Sequence, residues 1–386
     1  MRSLLDRGIK VAIGSDSVVA PGNPYLDIFF ALIQPTRPSE ALTGRAGCNR
    51  VHANGCAPDF QEQCLVRNAI FDELNEMLLR SLPDLAQSTA EFQSWFQSKW
   101  GRENCIIWGR ARQAEFGPCT HTLSIRAAWG GVEHCYVSGR TLAVDDDNFL
   151  ILNHGQIYST SIRAVQPVES LSICFKPELA EQIYGEASAS IEQALARGDT
   201  PAERTPDFME NLHPHENTVS PVLRFIRAHI SRGVLDEAWY DEQLVFLLAR
   251  MQCHHRRLLE QVDGIGLIRP ATRREVYRRI SLAADFMHTH YAQDVDLTTL
   301  AKMAHLSKYH FLRLFSLVHG MTPRTYLQRK RISVAIRLLE STRMTMSEVA
   351  ASVGFAEGST LVRQMRRWTQ LTPRQVRARV MDGRAA

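Results

Sequence analysis

The stretches that decide the fold are Leu297–Phe315 (LTTLAKMAHLSKYHFLRLF) and Met346–Trp368 (MSEVAASVGFAEGSTLVRQMRRW). Each pairs a short helix of apolar periodicity with a sharp turn and a second helix whose outward face is basic. In a helix-turn-helix unit the first helix supports the second, which is presented to a partner. The sequence therefore predicts two such units in tandem near the end of this 386-residue chain.

Local signals mark the helices of the first unit. Asp296 or Thr298 is predicted to cap its first helix and Ser307 its second, because short polar side chains accept hydrogen bonds from the free N–H groups of a first turn. The second helix has an apolar stripe at Phe311, Leu314, Phe315 and Val318. Its opposite face carries Lys308, Tyr309, Leu312 and Arg313.

The second unit repeats this design. Thr345 and Glu348 have the spacing of a capping box, and Gly354 supplies the permissive backbone of a tight turn. In the helix that follows, the predicted inward residues are Leu361, Met365 and Trp368. The predicted outward residues are Ser359, Arg363, Arg366 and Arg367.

A connecting helix is predicted over residues 323–340, because Pro323 stands at a first helical turn and good helix formers follow it. Its 18 residues would span ~27 Å. That length suits two helices aimed at major grooves about one DNA turn, ~34 Å, apart. A plain helical bundle with a basic surface is the alternative.

Charge separates the two ends of the chain. Residues 270–386 hold 20 Lys and Arg but 8 Asp and Glu, a formal net charge of +12, whereas the whole chain carries +4. Residues 1–269 therefore sum to −8. This asymmetry predicts a polyanionic partner for the C-terminal part, although a basic surface can also be merely solvated.

Residues 275–382 resemble the DNA-binding domain of the AraC/XylS family of transcription regulators. The resemblance is carried by LTTLAKMAHLSKYHFLRLFSLVHGMTPRTYLQRKRISVAIRLLESTRMTMSEVAASVGF, STLVRQMRRW and LTPRQVR. It implies an all-α tandem helix-turn-helix domain that binds double-stranded DNA. The groove contacts that it implies are Lys308, Tyr309, Arg313, Ser359, Thr360 and Arg363.

Other residues of this domain are assigned from their helix faces or depart from the family. Leu312 shares the outward face of the first unit, and Arg366 and Arg367 are assigned to phosphates, which position a protein on DNA without specifying sequence. The departures from the family lie in the second unit, where Leu361 and Met365 stand in place of aromatics, Gln370 in place of Gly, and Val376 in place of Tyr.

A second region predicts a small β-barrel or sandwich, because short strands alternate with turn signals such as Asp145-Asp146-Asp147. The predicted strands are Glu103–Trp108, Thr122–Ala128, His134–Val137, Phe149–Asn153, Gln156–Ser161 and Ser170–Phe175. Residues 100–180 resemble the cupin-type sensory domain of AraC/XylS regulators. That resemblance implies a small-molecule effector in a barrel and a homodimer formed through helices around 218–262. The predicted fold class is therefore α+β.

The same region contains candidate residues for metal binding, for a ligand pocket and for redox chemistry. His121, His134 and His154 are candidate metal ligands, but they form no HxH or HxxxH pair, so neither metal nor cofactor is predicted. Aromatic residues at strand positions line a pocket or simply fill a core; these are Trp108, Trp129 and Tyr158. The eight cysteines form no CxxC pair, and a redox-sensing thiol is the alternative to inert ones.

Residues 1–45 form a separate segment. The text LLDRGIKVAIGSDSVVAPGNPYLDIFFALIQ resembles the last barrel strand and loop of metal-dependent amidohydrolases, in which Asp16 would be a catalytic acid. About 43 residues cannot close a barrel of roughly 250, so we expect this segment to be catalytically inactive. A hydrolase fused to a regulator domain is the alternative function.

The predicted organisation places a junction at 46–64, a sensor and dimerisation domain at 65–262 and a linker at 263–274. Helices are expected within 65–100 and over 177–197, 218–232 and 236–262. The sequence shows neither an apolar run long enough to cross a membrane nor a secretory signal, which predicts a cytoplasmic protein. The whole predicts an effector-responsive transcription regulator rather than an enzyme, with RNA polymerase left open as a partner.

Overall fold

The computed structural model describes residues 78–80, 82, 102–120, 122–188, 207–233, 236–266 and 270–383. All of them belong to the second of two units into which the chain divides, Glu62–Ala386. The predictions for residues 1–64, including Asp16, lie outside the described residues, as does His121.

Eight strands of the described residues form one sheet, here called the sheet domain. They are β1 Leu78–Leu79, β2 Cys105–Thr120, β3 Ser124–Trp129, β4 Glu133–Val137, β5 Arg140–Val144, β6 Asn148–Leu152, β7 Ile157–Cys174 and β8 Leu212–Pro214. The hydrogen-bonded order is β1-β2-β7-β3-β6-β8, and β4 pairs with both β5 and β7. All pairs are antiparallel except β1 with β2.

The long strands β2 and β7 organise the sheet. The two strands pair with each other, and β7 also pairs with β4 through its first half and with β3 through its second half. The β2–β7 pair therefore contributes to both halves of the sheet. Between these halves the register shifts from Gln113 opposite Arg163 to Ala111 opposite Val168, and Val165 is 86% exposed. The strands predicted at 156–161 and 170–175 are therefore two halves of one strand that continues through this irregularity.

Two local predictions were wrong. Leu78–Leu79, expected in a helix, pairs in parallel with Ile106–Ile107, because this apolar dipeptide is fully covered when it extends the sheet. Strand β5 was not predicted. It forms a hairpin with β4 over Ser138 and Gly139, both at positive φ, which makes a tight two-residue turn.

Helices follow the strands. They are α1 Pro177–Ser188, α2 Ser220–Ser231, α3 Glu237–Asp263, α4 Pro270–Thr289, α5 Leu297–Met303, α6 Lys308–His319, α7 Pro323–Ser341, α8 Met346–Ser352, α9 Gly358–Thr369 and α10 Pro373–Gly383. Helices α4–α10 are here called the helical domain. The α+β class is confirmed, and none of the helices in the described part of the chain is long and apolar enough to cross a membrane.

In the described part of the helical domain, each of the two helix-turn-helix units has an apolar cluster of its own. The first includes Ile280, Met287, Leu300, Phe311 and Phe315, from α4, α5 and α6. The second includes Ile332, Ala335, Val349, Leu361 and Met365, from α7, α8 and α9. Each unit therefore buries its own core instead of sharing one.

Helix α4 attaches the helical domain to the sheet. Its buried Asp285 accepts a hydrogen bond from the Leu212 N–H of β8 at 3.0 Å. The Ala143 N–H of β5 donates to Thr289 Oγ1 at 3.2 Å, and that hydroxyl donates to the Thr141 carbonyl. Backbone N–H and C=O groups of β5 and β8 are thus hydrogen-bonded to side chains of α4.

Asp285 predicts a pH dependence of stability. Burial raises its pKa to about 8, although the Leu212 N–H and Arg140 act in the opposite direction. Because the folded-state pKa lies above the ordinary carboxyl value, the contribution of this group is greatest below pH 4 and is lost as the pH rises to about 8. Asp285→Asn keeps an oxygen that can accept the Leu212 hydrogen bond but removes the group that titrates. We therefore expect the stability of this variant to fall less between pH 4 and pH 8 than that of the parent.

The measurement is urea unfolding of both proteins from pH 5 to pH 9. Near pH 8 the variant should be more stable than the parent by a few kcal/mol at most, since each pKa unit corresponds to about 1.4 kcal/mol. Parallel pH profiles for the two proteins would contradict this assignment.

Candidate nucleic-acid interface

The first helix-turn-helix unit consists of α5 and α6. Asp296, not Thr298, caps α5, accepting hydrogen bonds from the N–H groups of Thr298 and Thr299 at 2.6 and 3.0 Å. His305 adopts a left-handed backbone with φ 51° at the turn. Ser307 caps α6 by accepting from the His310 N–H, as the sequence predicts.

Helix α6 has one buried and one exposed face. Phe311 and Phe315 are fully buried with their ring centroids 5.5 Å apart, while Leu314 and Val318 are partly buried against them. The exposed face carries all four predicted contact residues, Lys308, Tyr309, Leu312 and Arg313. Tyr309 is 72% exposed, which is unusual for a large aromatic side chain and leaves it free to meet a partner.

The second unit consists of α8 and α9. The predicted capping box is formed: Thr345 Oγ1 accepts from the Glu348 N–H, and the Glu348 carboxylate accepts from the Thr345 N–H at 2.7 Å. At the turn Gly354 has φ 80°, and a Cβ there would lie 2.5 Å from the Ala292 carbonyl oxygen. Both the backbone angle and this close approach require glycine.

Helix α9 presents most of its predicted outward residues to solvent. Ser359, Arg363, Arg366 and Arg367 are exposed, and Thr360 is half-buried. Leu361 and Met365 are fully buried, but Trp368, which was expected inside, is 41% exposed. Trp368 lies in the last turn of the helix and outside the apolar cluster that covers the other two.

Arg331 of α7 fixes the two units relative to each other. Its guanidinium donates to three backbone carbonyl groups: Nε to Tyr291, one Nη to Gly354 and the other to Gln293, at 2.7, 2.7 and 2.8 Å. Two of these carbonyls follow α4, which packs on the first unit, and the third lies in the turn of the second unit. The planar, forked guanidinium suits three such acceptors at once. Arg331 belongs to the stretch of sequence that resembles the AraC/XylS family, but its role between the two units was not predicted.

We expect Arg331→Met to lower the free energy of unfolding by about 2 kcal/mol or more, because three carbonyl groups lose a charged donor. Arg331→Lys should recover less than half of the loss, since an ammonium cannot reach three acceptors in the guanidinium geometry. Urea unfolding of the full chain measures this.

The matched control is Arg343→Met in the same domain, because Arg343 is exposed and has no partner among the described residues. If the two methionine variants lose equal stability, Arg331 does not hold the units together.

The described structure does not bring His134 and His154 together with other potential metal ligands. The one group of three close His, Cys, Asp or Glu ligand atoms among the described residues joins Asp145, Asp147 and His288, and includes neither His134 nor His154. Lys330 Nζ already occupies the cation position between the two carboxylates. As for the thiols, burial raises the pKa of Cys105 to about 12 and those of Cys119, Cys135 and Cys174 as well, which disfavours reactive thiolates.

A polar cavity in the sheet domain has a buried ion pair in its lining. Arg126 donates to Glu133 Oε1 at 2.9 Å and to the Tyr158 hydroxyl at 2.8 Å, and Ser170 donates to Glu133 Oε2 at 2.7 Å. The cavity holds about 30 Å³, the room of about one water molecule. Of the predicted pocket aromatics, Tyr158 and Trp129 are buried, and Trp108 donates to Glu169.

Comparison with known proteins gives matches in the helical domain and beyond it. A family model described as a helix-turn-helix domain matches residues 300–379. The virulence regulon transcriptional activator VirF of Yersinia enterocolitica serotype O:8 is 32% identical over 244 residues, which cover 62% of this chain and 83% of VirF.

Two further relatives agree in kind. The thermoregulatory protein LcrF of Yersinia pestis is 25% identical over 244 residues, with 62% of this chain and 83% of LcrF covered. The HTH-type transcriptional regulator YbfI of Bacillus subtilis is 35% identical over 80 residues, which cover 21% of this chain and 29% of YbfI. The similarity to VirF and LcrF therefore extends well beyond the segment that matches the family model.

Proposed function

We propose that this chain, which belongs to the AraC family of DNA-binding transcription regulators, reads two adjacent major-groove segments of one duplex with α6 and α9. The observation that carries the proposal is the pairing of two separately buried helix-turn-helix cores with two exposed basic helix faces. The connecting helix and Arg331 hold these faces at a fixed separation. An enzymatic role is not proposed, and the alternative of a hydrolase that uses Asp16 has no support in the comparisons.

Base contacts are assigned to residues near the start of each reading helix, where a helix enters the groove. In α6 these are Lys308, Tyr309, Leu312 and Arg313. In α9 they are Ser359, Thr360 and Arg363. Arg366 and Arg367, exposed in the last turn of α9, are assigned to phosphates.

We expect Arg313→Ala to cost about 1–3 kcal/mol of affinity for the selected DNA and to relax preference at one base position, because arginine bonds guanine O6 and N7 as a pair. The selected DNA comes from genomic fragments bound by the full chain. Fluorescence anisotropy against single-base variants of that site measures the change. Unchanged affinity and preference in this variant would overturn the assigned groove face.

Arg366→Ala is the matched control, since it removes the same side chain from the other reading helix. We expect it to weaken binding to all sequences alike and to reduce the slope of log affinity against log salt by about one unit, because a phosphate contact carries no sequence information. A base-specific effect of Arg366→Ala would move this residue to the groove contacts.

The sheet domain is proposed to bind a small polar effector. The buried Arg126–Glu133 pair lines the cavity and offers both a donor and an acceptor, which favours a polar molecule over a purely apolar one. Because the cavity holds about one water, an effector must displace lining side chains such as Leu82. Thermal unfolding of the full chain with a set of small polar metabolites tests this, and a true effector must also change affinity for the selected DNA.

Two helices are proposed to carry a homodimer contact. Phe225 of α2 and Val245 of α3 are large apolar side chains that are 44% and 38% exposed. A regulator of this kind acts where chromosomal DNA is, so we place it in the cytoplasm. If it activates transcription, RNA polymerase is a further partner.

A further inference from the structure

The turn between β5 and β6 inserts three carboxylates against the connecting helix. Lys330 Nζ donates to Asp145 Oδ2 and, at 2.8 Å, to Asp147 Oδ2. Arg337, two turns further along α7, donates to Asp147 Oδ1 at 2.9 Å and lies 3.6 and 3.7 Å from carboxylate oxygens of Asp145 and Asp146. Asp145 and Lys330 are 1% and 5% exposed, so the centre of this cluster is closed to solvent.

Helix α4 takes part in the same cluster. His288 Nε2 lies 3.2 Å from Asp145 Oδ1 and 2.6 Å from Asn148 Nδ2, and all three side chains are buried. Burial would raise the pKa of Asp145, but contact with His288 and the charges of Lys330 and Arg337 hold it well below its usual range. The carboxylate is therefore ionised at neutral pH and bonded to two helices.

These contacts lie on the helix that separates the two reading units. Arg331 follows Lys330 in sequence but points elsewhere, to the turn of the second unit. One segment of α7 therefore bonds to the sheet domain through Lys330 and to the second unit through Arg331. A displacement of this segment would move a reading helix relative to the sheet.

Within the sheet domain, the turn that carries Asp145 and Asp147 joins β5 to β6, and both strands contribute to the core of that domain. Leu142 and Val144 of β5 and Leu150 of β6 belong to one buried cluster with Tyr158 and Ile162. Ile162 lines the polar cavity, and the Tyr158 hydroxyl accepts from Arg126. A change in the cavity thus acts on side chains packed directly against the two strands that hold the aspartates.

We propose that the cluster of Asp145, Asp147, Lys330 and Arg337, here called the aspartate latch, fixes the orientation of the helical domain on the sheet domain, and that its opening passes a change in the sheet domain on to the DNA-reading helices. This inference rests on the proposed effector-responsive function. The contact faces of α6 and α9 remain exposed while the latch is closed. The latch therefore sets orientation and does not block DNA.

The first test is hydrogen exchange of the full chain, using two kinds of latch variant. Asp147→Asn with Arg337→Gln alters the half-exposed edge, and Asp145→Asn with Lys330→Met neutralises both charges of the centre. Removing a buried pair together avoids leaving one buried charge without its partner, so the second variant is expected to fold.

We expect amide exchange to rise by about tenfold or more in segments 141–149 and 326–340, because opening the contact exposes both. Arg329→Gln is the matched control, since Arg329 lies on the same helix, is exposed and has no hydrogen bond or ion pair to any described residue. Exchange within about twofold of the parent in both latch variants would overturn the latch.

The second test measures orientation on DNA. Duplexes carry two copies of the selected site at spacings that cover one helical turn. We expect the parent affinity to vary by about tenfold or more with spacing and that of the latch variants by about threefold or less, because freely oriented domains reach more spacings.

The outcomes separate the two proposals. Faster exchange with an unchanged spacing preference would overturn the regulatory role of the latch. Failure of the parent to bind any DNA would overturn the proposed function, while the exchange result would still decide whether the latch holds the domains together.

Discussion

The helical domain depends on the burial of one helix in two separate cores. The first half of α7 packs Tyr326 and Leu327 into the cluster of the first unit, and its second half packs Ile332, Ala335 and Leu339 into that of the second. The seven-residue helices α5 and α8 are too short to be stable in water without such packing. The separation of the two reading helices is therefore set by a rigid element and not by a flexible connection.

Different polar side chains of α7 bond to different parts of the protein. Arg331 bonds the second unit, and Lys330 and Arg337 bond the sheet domain. The bond of Lys330 to Asp145 is buried, so removing one of its partners is costly, whereas Arg331 and Arg337 bond mainly to half-buried or exposed groups. A single helix thus joins the two reading units to each other and to the part of the chain proposed to sense an effector.

Local features of this structure could be predicted from sequence, because a cap, a tight turn or an apolar stripe depends on residues within one or two turns. Ser307, the Thr345–Glu348 capping box and Gly354 are of this kind, as are the exposed faces of α6 and α9. The pairing of Asp145 with Lys330 joins residues 185 positions apart, and no pattern in the sequence around either residue predicts it. The aspartates were therefore interpreted only as a turn.

The predictions for Trp368 and β1 were wrong for a related reason. Periodicity identifies the apolar face of a helix, but it does not show whether the last turn of that face is covered by the rest of the protein, as for Trp368. Nor does it show that Leu78–Leu79 pairs with a strand farther along the chain. Prediction was thus strongest for the local structure of the two helix-turn-helix units and weakest for the contacts between the domains, through which the proposed effector would have to act.

The inward position of the aspartates also affects how the chain finds its site. The formal charge of +12 on residues 270–386 includes Lys330 and Arg337, whose charges are balanced by carboxylates of the sheet domain and not by phosphates. Sequence-independent attraction to DNA arises from cations that displace counterions, so these two add little to it. We therefore expect weaker binding to random DNA, and faster release from it, than the formal charge of this part of the chain alone would give.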